Sequence, residues 1–159
     1  MVQASIIGTS SAVLLRRSVA KQVGLFNRKY RVSGDYDYWM RCSLVTPFVV
    51  LNDILLYKRT HATNISADMV LTFTEYRQVL RELPLEFQKT GGNRAREALC
   101  LQEAANISYM MGNHCFDRGE KAKDFEFFRQ GLRDNKTLRN FFVYGSLTLK
   151  KKIRSLLHG

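Results

Sequence analysis

Proline and cysteine are scarce in this chain of 159 residues, and acids are outnumbered. The three cysteines, Cys42, Cys100 and Cys115, are far apart and form no Cys-x-x-Cys pair. That spacing excludes a disulfide framework and a zinc site of the usual kind, and fits reduced, buried thiols in a reducing compartment. The only prolines, Pro47 and Pro84, suit the start of a strand and the end or kink of a helix. No apolar run reaches the roughly 18 to 20 residues needed to span a bilayer, and the first residues lack the cationic and apolar regions of an export signal. With 25 lysines and arginines against 14 acids, the formal charge is +11. Such a balance favours an anionic partner, whether nucleotide, nucleic acid or lipid surface, without specifying a fold. Nucleic acid is the weakest of these, because the basic residues are spread along the chain and no recognition motif or stacking platform accompanies them.

What is present divides near residue 67. The run "ASIIGTSSAVLLRR" alternates short β-prone pieces with small polar residues and predicts a strand, a break at Gly8 to Ser11 and a second short run. A short helix follows in "RRSVAKQVGLFN", with Ser18 as its cap, Val19 and Val23 on one face and Gly24 as its stop. "PFVVLNDILLYKRTH" then predicts two strands separated by Asn52 and Asp53. From Ala67 the period becomes helical through Met69, Phe73, Tyr76, Leu80, Leu83 and Phe87. A Thr-Gly-Gly linker at 90 to 92 separates this helix from others expected over 94–116, 120–133 and 137–157. The pair joined around Gly119 has the spacing of one tetratricopeptide unit, with Phe128 and Leu132 in register but Asp124 and Gly131 at alanine positions; no second copy is found, so an ordinary helical hairpin is expected.

The densest chemistry lies in "VSGDYDYWMRCS", residues 32 to 43. An Asp-x-Asp on an irregular loop could bind a divalent cation. Here, however, Tyr36, Met40, Ser43 and Leu44 share a helical face, with Trp39 beside them. Asp35 and Asp37 would then occupy a first turn, where the helix dipole favours negative charge and carboxylates two apart point in different directions. A metal pair is therefore not expected. Asp35 reads either as a base at a helix N-terminus or as a simple helix-start acid.

The ordered series "SSAVLLRRSVAKQVGLFNRKYRVSGDYDYWMRCS" and "LLYKRTHATNIS" resembles the second half of the catalytic domain of family 2 glycosyltransferases of the GT-A fold, over about residues 4 to 66. In that family a Glu-Asp-Tyr-Asp-x-Trp-x-Arg motif is followed by a Tyr-Arg-x-His segment. The resemblance implies an α/β part, a partial GT-A catalytic domain with few strands over 1–67, followed by an all-helical region over 68–159, mostly α overall. It implies that Asp35 is the general base, accepting the proton of an acceptor hydroxyl as that oxygen attacks the anomeric carbon of a nucleotide-sugar with inversion. Asp37 takes the second acid position, in a supporting or substrate-binding role, and Arg41 pairs with a carboxylate or packs structurally. Trp39 either stacks on an acceptor sugar or belongs to the core, and Arg59 falls at the substrate-binding arginine. His61 matches a histidine that approaches the metal or diphosphate, or else is a loop residue without a role.

The chain departs from the pattern at Gly34, where the family has glutamate, and at Leu25 and Asn27 of the preceding turn. The larger departure is that the strand-helix half that holds the nucleotide and a divalent manganese or magnesium ion does not precede Asp35. The expectation is a fragment inactive alone, whose whole protein uses a nucleotide-sugar donor and a sugar or lipid-linked acceptor in polysaccharide or glycolipid synthesis. The alternative is a non-catalytic accessory or interaction protein derived from such an enzyme. The final 25 residues hold Lys136, Arg139, Lys150, Lys151, Lys152 and Arg154 and no acid. Leu138, Phe142, Leu149, Ile153 and Leu156 can share a face there, which fits either an amphipathic helix on an anionic membrane or a packed terminal helix. The expected location is the cytoplasm, with the inner face of the membrane as the place of contact with lipid-linked acceptors.

Overall fold

The computed structural model describes residues 7, 9–57, 59, 68–89, 91–136 and 145–146. Their architecture is mostly α. A single 3-10 turn at Ser10–Ala12 precedes α1 (Arg17–Val23), α2 (Gly34–Val45), α3 (Met69–Lys89), α4 (Arg94–Asp117) and α5 (Lys121–Asp134). Among the described residues no helix is long and apolar enough to cross a membrane. The helix and basic face expected over 137–157 lie outside the described residues apart from 145–146.

The α/β character expected of the first part is not seen: among the described residues there is no β-strand. Residues 47–57 carry the β-prone side chains, yet their backbone is irregular with a bend at Asp53. Strand propensity measures how well side chains fit a pleated, half-buried surface, and a strand exists only when a neighbour takes up its N–H and C=O groups. Among the described residues no neighbouring strand does. Around the expected first break the chain makes the 3-10 turn instead, and Val13 beyond it is extended, its N–H donating back to the carbonyl of Ser10 at 3.3 Å.

The local signals for helices are followed closely. Gly24 ends α1 at φ 83°, with its N–H donating to the carbonyl of Ala20 at 3.0 Å. Ser18 lies inside α1 rather than capping it; the cap position belongs to Arg16, which supplies no side-chain bond. After α3, Gly91 and Gly92 both take positive φ, and the Gly92 N–H returns to the carbonyl of Phe87 at 2.8 Å. Asn93 then opens α4, its Oδ1 accepting the Arg96 N–H at 3.0 Å. Pro84 sits inside α3 and does not end it.

The contacts divide the chain into two compact units, Met1–Cys100 and Leu101–Gly159. Within the first unit α3 packs on α2. There Tyr38, Trp39 and Cys42 of α2 form a buried cluster with Ile7, Val13, Leu15, Val19, Val23 and Phe48 packed around it. Val79, Leu80, Leu83 and Phe87 of α3 are buried as well.

In the second unit the end of α4 and α5 form a hairpin closed by Gly119 at φ 76°. Ala105, Tyr109 and Phe128 make its core. Two glycines seat the aromatic rings: Phe128 lies over Gly112, and Tyr109 lies over Gly131. Burial, then the charge of Asp134, pushes the Tyr109 phenol up to about 12.

Candidate active site

The loop before α2 has no ladder to satisfy its backbone, so its N–H groups need another acceptor. They find one on α3. The Glu75 carboxylate accepts the N–H of Arg31 at 2.9 Å on Oε1, and those of Val32 at 2.9 Å and Ser33 at 2.7 Å on Oε2. The Ser33 hydroxyl donates to the carbonyl of Thr72 at 3.2 Å instead of capping α2. Two helical turns further along α3, Glu82 accepts the Tyr30 hydroxyl at 2.9 Å and pairs with Lys29. A buried carboxylate thus gathers the N–H groups of the loop that leads into α2, at the end of the helix where the dipole favours an anion.

Burial alone would raise Glu75, but its three backbone donors outweigh that and hold it below the usual carboxylate range. Glu82 is also lowered, with burial opposed by bonds from Lys29, Tyr30 and Gln78. A carboxylate depressed in the folded state adds stability that is present above its unfolded value of about 4.3 and is lost as pH falls through the folded value. The urea midpoint should therefore hold steady in the neutral range and fall below about pH 4.3. Glu75→Gln should flatten that acid slope, as read by urea unfolding across a pH series.

The two aspartates of the first turn of α2 have different surroundings. Asp37 is buried, and its Oδ2 accepts Nε and Nη2 of Arg41 at 3.0 and 2.9 Å. Arg41 also donates to the carbonyls of Val23 at 2.9 Å and Leu25 at 3.0 Å, and lies over the Tyr38 ring. Asp35 is half-buried, and its Oδ1 accepts the N–H of Tyr36 at 2.7 Å. Beside it the Tyr36 and Tyr76 rings meet at 4.4 Å, and the Tyr76 phenol is raised by burial and then by the Asp35 charge.

Trp39 is 6% exposed. It meets Tyr38 edge-on at 5.2 Å and Phe26 at 6.4 Å, and its Nε1 has no acceptor among the described residues. Its ring is placed in the core cluster rather than toward solvent. Asp37 and Arg41 line a cavity of about 310 Å³ with Leu25, Asn27, Glu82 and Glu86. Arg59 is exposed and lies in no element, and His61 lies outside the described residues. Among the described residues no three His, Cys, Asp or Glu side chains are grouped to hold a metal ion.

The sequence reading did not anticipate Thr72, Glu75 and Glu82. Their signal is a second stripe on α3, Thr72-Glu75-Val79-Glu82, at spacings of three and four beside the apolar one.

Comparison of the chain with protein-family models, with curated proteins and with solved structures found no match.

Proposed function

We propose that this chain is the acceptor-side part of an inverting glycosyltransferase, with Asp35 as its general base. The observation that carries the reading is the division of labour between the two aspartates. Asp37 is committed to Arg41, whereas Asp35 stands half-buried at the start of α2 with one oxygen on the Tyr36 N–H. In the reaction the Asp35 carboxylate takes the proton of an acceptor hydroxyl while that oxygen bonds to the anomeric carbon of a nucleotide-sugar. The bond from that carbon to the nucleoside diphosphate breaks, the configuration inverts, and the diphosphate leaves with the electron pair.

The nucleotide and its divalent ion are held by further polypeptide, and residues 49–57 support such a completion. Val49, Val50, Leu51, Ile54, Leu55 and Tyr57 are between 64 and 92% exposed. Neighbours in an extended chain face opposite ways, so consecutive exposed apolar residues ask for cover on both faces, the environment of a strand inside a parallel sheet. Among the described residues no set of groups is placed to stabilise a leaving diphosphate, and turnover by the chain alone should be negligible.

The test is made in the cells that produce the chain. Asp35→Asn at the chromosomal locus should lower one glycan product at least about a hundredfold, the lower range for loss of a general base, by mass profiling of extracted glycans. An unchanged profile would instead favour the accessory-protein alternative, for which the exposed 49–57 segment is the supporting observation.

A further inference from the structure

The α3 helix lies beyond the segment that resembles a transferase, yet it fixes the loop on which the proposed base stands. Every backbone N–H from Arg31 to Ser33 ends on one carboxylate, and the Ser33 hydroxyl ends on the same helix at Thr72. Asp35 follows two residues later, with only Gly34 between it and Ser33. The backbone path from Glu75 to Asp35 is thus short and held by four bonds. Glu82 pins the earlier part of the loop through Tyr30 and Lys29.

We infer that Glu75 is a positioning residue, which sets where the Asp35 carboxylate stands by gripping the three N–H groups ahead of α2. The inference rests on the base reading for its use in catalysis, though not for its geometry. Glu75 touches no reacting atom; it acts through the loop. A glutamate suits the task because its two oxygens can take three donors at once. Glutamine offers one acceptor oxygen, and its amide N–H₂ would face at least one backbone N–H. Tyr76, the next residue on α3, provides the internal gauge, since its ring stands within reach of the Asp35 charge and meets the Tyr36 ring at 4.4 Å in a tilted pair.

The experiment is a double-mutant cycle on the full chain near neutral pH, read by the ¹³Cζ resonance of Tyr76, assigned with Tyr76→Phe. The shift produced by Asp35→Asn measures the field of Asp35 at that ring. Repeated in the Glu75→Gln background, the same substitution should produce less than half of that shift, because Asp35 has moved. A merely structural Glu75 would lower the urea midpoint but leave the shift intact in the folded protein, and that result overturns the inference. If Glu75→Gln does not fold, Glu75→Asp is measured in its place, being one methylene too short to hold all three N–H groups, with the same two outcomes. Failure of the base reading is seen separately. If Asp35→Asn leaves the glycan profile unchanged while the Tyr76 shift collapses, Glu75 still positions Asp35 and the transferase reading falls.

Discussion

Arg41→Ala should destabilise the first unit by about 3 kcal/mol, the lower range for removing one partner of a buried ion pair. The size follows from what the guanidinium leaves behind. Its pair with Asp37 is mostly buried, with the two side chains 20 and 11% exposed. Without Arg41 the Asp37 carboxylate keeps its burial and loses its cation. Two further acceptors are stranded, the carbonyls of Val23 and Leu25 on either side of the Gly24 turn. Those oxygens lie where α1 ends, where helix carbonyls have no partner of their own. Arg41 therefore fastens α1 to α2 through a fork that no other side chain reproduces. Arg41→Lys should recover less than half of the loss, since one ammonium cannot serve Asp37 and two separate carbonyls with the same planar geometry. Urea unfolding of Arg41→Ala, Asp37→Asn and the double variant gives the coupling between them, expected at about 1 to 3 kcal/mol for groups in one network. A loss below about 0.5 kcal/mol for Arg41→Ala, the range of ordinary surface substitutions, would show that the network contributes nothing to folding.

The same residues show where the sequence was readable. The first turn of α2, with acids at 35 and 37, followed from periodicity and dipole, and the breaks on either side of α4 followed from Gly91, Gly92 and Gly119, which take positive φ. The expected strands are not formed among the described residues, because strand propensity is a statement about neighbours. Val49 to Tyr57 have the side chains of a buried strand and lack the adjoining strands among the described residues. Glu75 and Glu82 escaped notice for the opposite reason. On a helical wheel they look like solvent-facing charges, and only the tertiary structure shows an irregular loop bringing its N–H and hydroxyl groups onto them. Whether a carboxylate is core or surface is settled by the donors a distant segment brings, which local pattern does not encode. Trp39 illustrates a third case: its helix was legible, but which neighbours would enclose its ring depended on Phe26 and Tyr38 meeting it edge-on.

Gly112→Ala should be comparably costly, at about 3 kcal/mol, the upper part of the range for overpacking a core. A methyl group there would lie 2.4, 2.6 and 2.9 Å from three atoms of the Phe128 ring. Alanine is otherwise the better helix former, by about 1 kcal/mol over glycine, so a net loss must come from the ring. The ring cannot simply slide away, because Phe128 also meets Tyr109 at 6.5 Å, and Tyr109 is itself seated on Gly131, where a methyl would lie 2.7 Å from its ring. Each glycine is the socket for the aromatic residue of the opposite helix, and filling one socket displaces both rings. Gly112→Ala combined with Phe128→Leu tests that account directly: the smaller side chain makes room for the methyl, so the double variant should be more stable than the sum of the two single losses predicts by at least about 1 kcal/mol. Thermal and urea unfolding followed at the helical far-ultraviolet signal measure it. Additive losses would mean that the hairpin tolerates the methyl by moving α5 bodily, and that the close approach of the two helices is not what holds it together.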